Sequence, residues 1–191
     1  MTKHLDLGCG SVPRNPYQRS ELFGIDLAVN APRGNFKSAN LAVEPIPFAD
    51  GLFDSVSAYD FLEHVPRILA TADGCSTRAP FIDLMNEIWR VLAPGGLFYA
   101  STPAYPHHAA FQDPTHVNII TSDTHHYFTR PTLTARMYGF VGDFEVRRVM
   151  RVKPQHDYQP EFKGFVERWR QRSRERRGAC SHLVWEFEAC K

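Results

Sequence analysis

Apolar runs separated by polar turns recur along the chain. Lys3–Leu7, Leu22–Asp26, Ser55–Tyr59 and Leu97–Thr102 each read as buried strands, with a shorter one near Asn35–Ser38. Phe81, Leu84, Met85, Ile88, Trp89 and Leu92 recur at helical spacing, so a helix over Phe81–Leu92 is predicted to lay one stripe on a sheet and to stop at Pro94-Gly95-Gly96. A long loop then runs to Phe128, followed by a helix near Pro131–Tyr138. Two alternating strands, Phe144–Val152 and Ser181–Ala189, close the chain. Between them Glu161–Arg177 reads as a helix whose Phe162, Phe165, Val166 and Trp169 form a stripe expected to dock on the body. Strands alternating with helices predict an α/β fold, a mostly parallel sheet wound on both faces, in one domain over residues 1–191. Pro13, Asn15 and Pro16 make any helix between the first two strands short or delayed.

The first strand ends in Asp6-Leu7-Gly8-Cys9-Gly10, and the second ends in Asp26. Glycine tolerates positive φ and has no Cβ, so such a turn lets backbone N–H groups come close to a ligand at the C-terminal end of a strand. A carboxylate at the end of the neighbouring strand can accept hydrogen bonds from both hydroxyls of a ribose. The pair describes a pocket for an adenosine-bearing cofactor. Ser11, Val12 and Pro13 follow Gly10, so the third glycine of a dinucleotide-binding fingerprint is missing, as is the Gly-Lys-Ser/Thr ending of a P-loop.

The acidic-apolar-Gly-x-Gly turn resembles motif I of the class I S-adenosylmethionine-dependent methyltransferases. Three further stretches resemble that family in the same order: the Pro45-Ile46-Pro47-Phe48 turn, the Phe53-Asp54 entry to the next strand, and Glu87-Ile88-Trp89-Arg90-Val91-Leu92-Ala93-Pro94-Gly95-Gly96. The last reads mainly as punctuation between helix and strand. The resemblance covers residues 3 to about 103 well. It implies a minimal Rossmann-like doubly wound sheet of seven strands, order 3-2-1-4-5-7-6 with the seventh antiparallel, and no N-terminal helical extension. The cofactor half would be 1–103 and the acceptor side 104–191. The donor would be S-adenosylmethionine and the product S-adenosylhomocysteine. By the same resemblance Gly8, Cys9 and Gly10 would lie against the methionine part and ribose, and Asp6 near the methionine amino group. Asp26 would hold the ribose hydroxyls and Leu27 flank the adenine. Asn40 and Leu41 stand where the family often has Asp and an apolar residue, and Tyr59 and Asp60 would lie beside the methionine end.

Methyl transfer to a hydroxyl or ammonium needs a base, and histidine suits neutral pH. His64, in Tyr59-Asp60-Phe61-Leu62-Glu63-His64, is the first candidate, with His116 and His108 next. Five of the nine histidines, those at 107, 108, 116, 125 and 126, fall in the loop after Thr102. That loop reads as a surface segment, as an acceptor-binding lid or as a metal site. No H-x-x-x-H or H-E-x-x-H spacing sets two ligands on one face, so no metal ligand is assigned from the sequence. The strand end lacks the Asn/Asp-Pro-Pro-aromatic motif of many amide N-methyltransferases, which favours an oxygen, carbon or amine acceptor on a small molecule, oxygen first. Ala110-Phe111-Gln112-Asp113-Pro114-Thr115-His116-Val117 is similar to a segment of bacterial methyltransferases encoded among sugar and polysaccharide genes, which implies a small-molecule or glycan-like acceptor.

Composition narrows the classes further. Net charge is +1, which argues against nucleic acid or membrane as a global partner, and no apolar run approaches the ~20 residues of a membrane span. Cysteines 9, 75, 180 and 190 have no pairing or zinc spacing. They read as reduced thiols, and Cys9 as a small packing residue in the turn. The cytoplasm is the expected compartment. Arg67–Ala79 reads as a flexible insert. Two alternatives stay open: a cofactor-binding module without catalysis, and an enzyme that uses the arginines between 168 and 177 to hold nucleic acid.

Overall fold

A computed structural model of the protein describes residues 1–28, 34–154 and 158–191. Strand β1 (Lys3–Leu7) lies between β2 (Glu21–Asp26) and β4 (Phe53–Tyr59), and β3 (Phe36–Ser38) flanks β2, all parallel. β7 (Leu92–Pro103) runs parallel to β4. β9 (His182–Ala189) is antiparallel to β7, and β8 (Phe144–Val152) is antiparallel to β9 at the sheet edge. The order is β3-β2-β1-β4-β7-β9-β8. Leaving aside the separate hairpin of β5 (Leu69–Ala70) and β6 (Thr77–Arg78), this is the order implied by the sequence.

Register sorts the two sheet faces by chemistry. Leu5 and Leu7 pair with Val56 and Ala58, and these face the main core together with Phe98, Ala100, Trp185 and Phe187. Helix α1 (Pro80–Val91) packs Phe81, Leu84, Met85 and Ile88 into that core. Arg90 at its end reaches back to Glu87, Asp50 and the carbonyls of Ile46 and Phe48, while Glu87 accepts the Ile46 N–H at 2.8 Å. The Glu-x-x-Arg pair is thus a clamp on the Pro-Ile-Pro-Phe turn, a role beyond the punctuation between helix and strand expected of this stretch.

The opposite face is polar. His4 bonds Ser55 Oγ at 2.8 Å and Ser57 Oγ at 2.9 Å, and the Ser57 hydroxyl donates to Asp6 Oδ1 at 2.5 Å. The β1–β2 connection carries no helix. It crosses this face as a loop whose Tyr17 hydroxyl donates to Glu186 at 2.7 Å and whose ring joins Tyr59, Tyr99 and Tyr158. Burial, helped by the charge of Arg19, pushes the His4 imidazole down to about 3. The unfolded chain therefore takes up a proton near pH 6.5 that the folded protein refuses, so stability is lost as the pH falls from 6.5 toward 3. Burial raises Asp6 to about 6, which works in the opposite direction between about 4 and 6. His4→Gln keeps a polar side chain and removes the first effect. Urea unfolding between pH 7 and 4.5 should show a slope shallower than wild type by up to about 1.4 kcal/mol per pH unit; identical slopes would refute it.

Three expectations need correction. After the single turn α2 (Ala109–Gln112), helix α3 spans Phe165–Arg176, and its stripe does not dock: Phe165 is 79% and Trp169 63% exposed, and Val166 is exposed as well. Phe162 lies before the helix and is half-buried. The buried side chain of α3 is Gln171, which bonds the Arg151 carbonyl, so the helix is moored by a polar contact at the outer strand and its periodicity finds no apolar partner among the described residues. The insert at 67–79 contains the β5–β6 hairpin, fastened by Arg78 to Asp83 at 2.9 Å and to the Val43 carbonyl at 3.1 Å. The helix near 131–138 is a 3-10 turn, Thr134–Tyr138, entered through Leu133 at φ 48°.

Candidate active site

The glycine turn sits at the C-terminal ends of β1 and β2. Gly8 and Gly10 take φ of 65° and 53°, the left-handed region that favours glycine. A Cβ on Gly8 would lie 2.7 Å from Phe61 Cδ2, so the turn is seated directly against the loop that follows β4. The Gly10 N–H donates to Asp26 Oδ2 at 2.9 Å, and the Ala28 N–H to Asp26 Oδ1 at 3.2 Å. The carboxylate at the end of β2 therefore fixes the turn, and each oxygen keeps a second lone pair for a ligand. Beside it opens a cavity of about 330 Å3 lined by Gly8, Asp26, Leu27, Asn40, Leu41 and Phe61, with His64 at its rim. Apolar walls, one carboxylate and a turn with bare Cα atoms are what an adenine and ribose require, so the residues present fit an adenosine-bearing group.

Asp6, which precedes the turn, and Cys9, within it, are both buried. Asp6 is 1% exposed, and its second oxygen accepts the Arg14 N–H at 2.8 Å, so it braces the loop from below. Cys9 is buried, and burial pushes its thiol up to about 11, which keeps it an unreactive packing group. Tyr59 is buried at the end of β4 and lines a second, larger cleft of about 880 Å3 with Val12, Arg14, Asn15, Gln18 and Tyr158. The Arg14 guanidinium lies 4.7 Å from the Tyr59 ring centroid.

The chain after β4 bends sharply. Asp60 takes φ 47°, unusual outside glycine, and its carboxylate accepts His182 Nε2–H at 2.9 Å across the sheet. A 3-10 turn, Leu62–His64, follows. The loop from β7 comes back over it: the N–H groups of Val117 and Asn118 donate to the Glu63 carbonyl at 2.8 and 3.0 Å, and the Asn118 amide donates to the Leu62 carbonyl at 3.1 Å. This stitching brings His64 and His116 together, with ring centroids 4.8 Å apart. Glu63 is 1% exposed; one oxygen accepts the Thr102 hydroxyl at 2.8 Å and the other lies 4.0 Å from His116 Nε2. Burial, against the Thr102 hydrogen bond, raises this carboxyl to about 7. The Thr115 hydroxyl donates to Asp113 at 2.7 Å, so it accepts from His64 Nδ1–H at 2.9 Å and leaves His64 Nε2 with its lone pair.

These groups line a cleft of about 530 Å3 that includes Asp60, Glu63, His64, Asp113, His116 and His182. His64 belongs to its wall and also to the rim of the adenosine-sized cavity. His108 stands elsewhere, against His107 at 4.3 Å, in a separate cleft with Arg151, Glu175 and Cys180. His125 and His126 stack on one another at 4.0 Å, and His125 Nδ1 is bonded to the Ser122 carbonyl. Sequence reasoning did not single out Glu63, Asp113, Thr115 or His182 as working parts. Asp113-Pro114-Thr115 carries the signature of a turn in which Asp bonds the residue two places on, which was the available signal.

A family model described as a methyltransferase domain matches residues 5–100. Among solved structures, the chain is similar to a SAM-dependent methyltransferase from Archaeoglobus fulgidus, with TM-score 0.56 and 13% identity over 98% of this chain and 86% of that one. It is similar also to an S-adenosylmethionine-dependent methyltransferase from Mesorhizobium loti, with TM-score 0.53 and 15% identity over 97% and 90%. The [4+2]-cyclase SpnF shares the fold too, with TM-score 0.57 and 17% identity over 99% and 74%. Likeness at these identities establishes the fold alone. No curated protein sequence matches the chain.

Proposed function

The chain belongs to the methyltransferase domain family, with S-adenosylmethionine as methyl donor, and from that premise we propose that it methylates an oxygen of a small, saccharide-like molecule seated in the cleft of Asp60, Glu63, His64 and His116. One observation carries this reading: His64 stands in the wall of both the donor-sized cavity and that polar cleft, so a molecule in the second is delivered to the end of a donor in the first.

When bound, the donor supplies a methyl group on a positive sulfur, already activated for in-line displacement, and leaves as S-adenosylhomocysteine. The residues of this chain bind, orient and prepare. Asp26 accepts the ribose hydroxyls with the lone pairs that Gly10 and Ala28 leave open. Leu27 and Leu41 cover the adenine, and Asn40 accepts from its amino group. Arg14, beside Tyr59 in the neighbouring cleft, faces the methionine carboxylate, while Asp6 positions the loop that carries it. On the acceptor side the Glu63, His64 and His116 wall takes up the proton that the hydroxyl loses as its oxygen is methylated, with Asp113 and Thr115 holding His64 in one tautomer. His108, in its own cleft, takes no part.

Incubating the protein with S-adenosylmethionine and a panel of monosaccharides, hydroxy acids and primary amines, while following release of S-adenosylhomocysteine, tests the proposal. Release with hydroxylated members is expected. Release with amines alone would overturn the oxygen assignment, and donor binding without release on any member would favour a binding module.

A further inference from the structure

Glu63, His64 and His116 each offer a ligand atom, and these three atoms lie within 4.8 Å of one another. From this cluster we infer that the polar cleft is a divalent metal site, in which a first-row transition ion held by two imidazoles and one carboxylate takes adjacent oxygens of the acceptor in its remaining positions. The inference rests on the reading of that cleft as the acceptor's.

Proximity alone would not carry it, since carboxylates and histidines often meet at surfaces. Here Glu63 and the His116 side chain are 1% and 8% exposed. Among the described residues, Glu63 Oε1 and His116 Nδ1 are buried without a hydrogen-bond partner. A buried carboxylate oxygen with no donor is costly, and a cation between the three side chains removes that cost. The hydrogen bonds of His64 suit a ligand: with Thr115 donating to Asp113, Thr115 accepts from His64 Nδ1–H, which leaves Nε2 as the nitrogen to bind an ion. The Thr102 hydroxyl likewise fixes the other oxygen of Glu63.

Mixed nitrogen and oxygen donors suit zinc, iron, cobalt or manganese rather than calcium or magnesium, which prefer oxygen alone. Metal–ligand bonds of about 2.0–2.1 Å put ligand atoms roughly 3–4 Å apart, so the side chains would close by about 1 Å on the ion. Three protein ligands leave positions open toward Asp60, Gln112 and His182, where vicinal hydroxyls or a hydroxy acid would chelate. The ligands come from two loops that only the fold brings together, which is why no metal spacing is visible along the chain.

The test uses the full chain stripped with chelator and dialysed, titrated with Zn2+ by calorimetry and with Co2+ by its visible spectrum. One ion per chain is expected. His116→Ala and Glu63→Gln should each weaken binding at least about tenfold, and Thr115→Val by roughly 10–100-fold through His64. Binding of S-adenosylhomocysteine, retained in every variant, shows that each is folded. Saturable binding lost in the variants supports the site. Absence of saturable binding, or binding equally tight in His116→Ala, overturns it. Turnover on the acceptor panel separates the two proposals. Full activity of the stripped protein overturns the ion's role and leaves the acceptor cleft standing. Metal binding with no turnover on any acceptor supports the site and removes the acceptor reading.

Discussion

Gly8→Ala is expected to raise the dissociation constant for S-adenosylhomocysteine at least about tenfold, or about 1.4 kcal/mol. Two costs combine. At φ 65° an alanine pays about 1–2 kcal/mol for the left-handed conformation. Its Cβ would also stand 2.7 Å from Phe61 Cδ2, 3.1 Å from Cγ and 3.2 Å from Cβ, so rotating the ring cannot relieve the contact. Phe61 must move as a residue, and Phe61 lines the adenosine-sized cavity. Gly10→Ala supplies the comparison. At φ 53° it pays the backbone cost but meets nothing within 4 Å, so the donor should be weakened less than by Gly8→Ala. Calorimetric titration of both variants below their unfolding temperatures measures the difference. Equal losses would show that the seat on Phe61 does not matter and that backbone strain alone sets affinity.

What the chain revealed by itself follows from how local each signal is. The turn at 8–10, Asp26 and the Glu87–Arg90 clamp sit at the ends of short elements, where glycine, carboxylate and proline carry fixed backbone meanings, and their places follow from element order. The strand order came from resemblance to a family, and the register then made one face apolar and the other polar, a division that alternation in β1 and β4 already contained. Side-chain meetings between loops were a different matter. Glu63 reads as a helix-entry acid and His116 as one of several loop histidines; nothing in either segment says that the Val117 and Asn118 N–H groups will cap the Glu63 carbonyl and press the two together. Helix α3 misled because periodicity reports an amphipathic face but says nothing about whether an apolar surface waits for it.

His64→Ala should lower kcat by about 100- to 10,000-fold on the acceptor that gives turnover, while S-adenosylhomocysteine binding changes by less than about threefold. The asymmetry follows from position. His64 is one of several residues lining the donor cavity, with Gly8, Asp26, Leu27, Leu41 and Phe61, but in the polar cleft its Nε2 is the nitrogen that the Asp113–Thr115–His64 chain leaves uncommitted. Thr115→Val separates function from bulk. It keeps the imidazole and the shape of the loop but releases the tautomer, so kcat should fall by a smaller factor than in His64→Ala, with S-adenosylhomocysteine binding unchanged. A structural role for His64 would instead lower stability and donor affinity together. Turnover by His64→Ala within about threefold of wild type would mean that alignment of donor and acceptor, without a group to prepare the hydroxyl, carries the reaction.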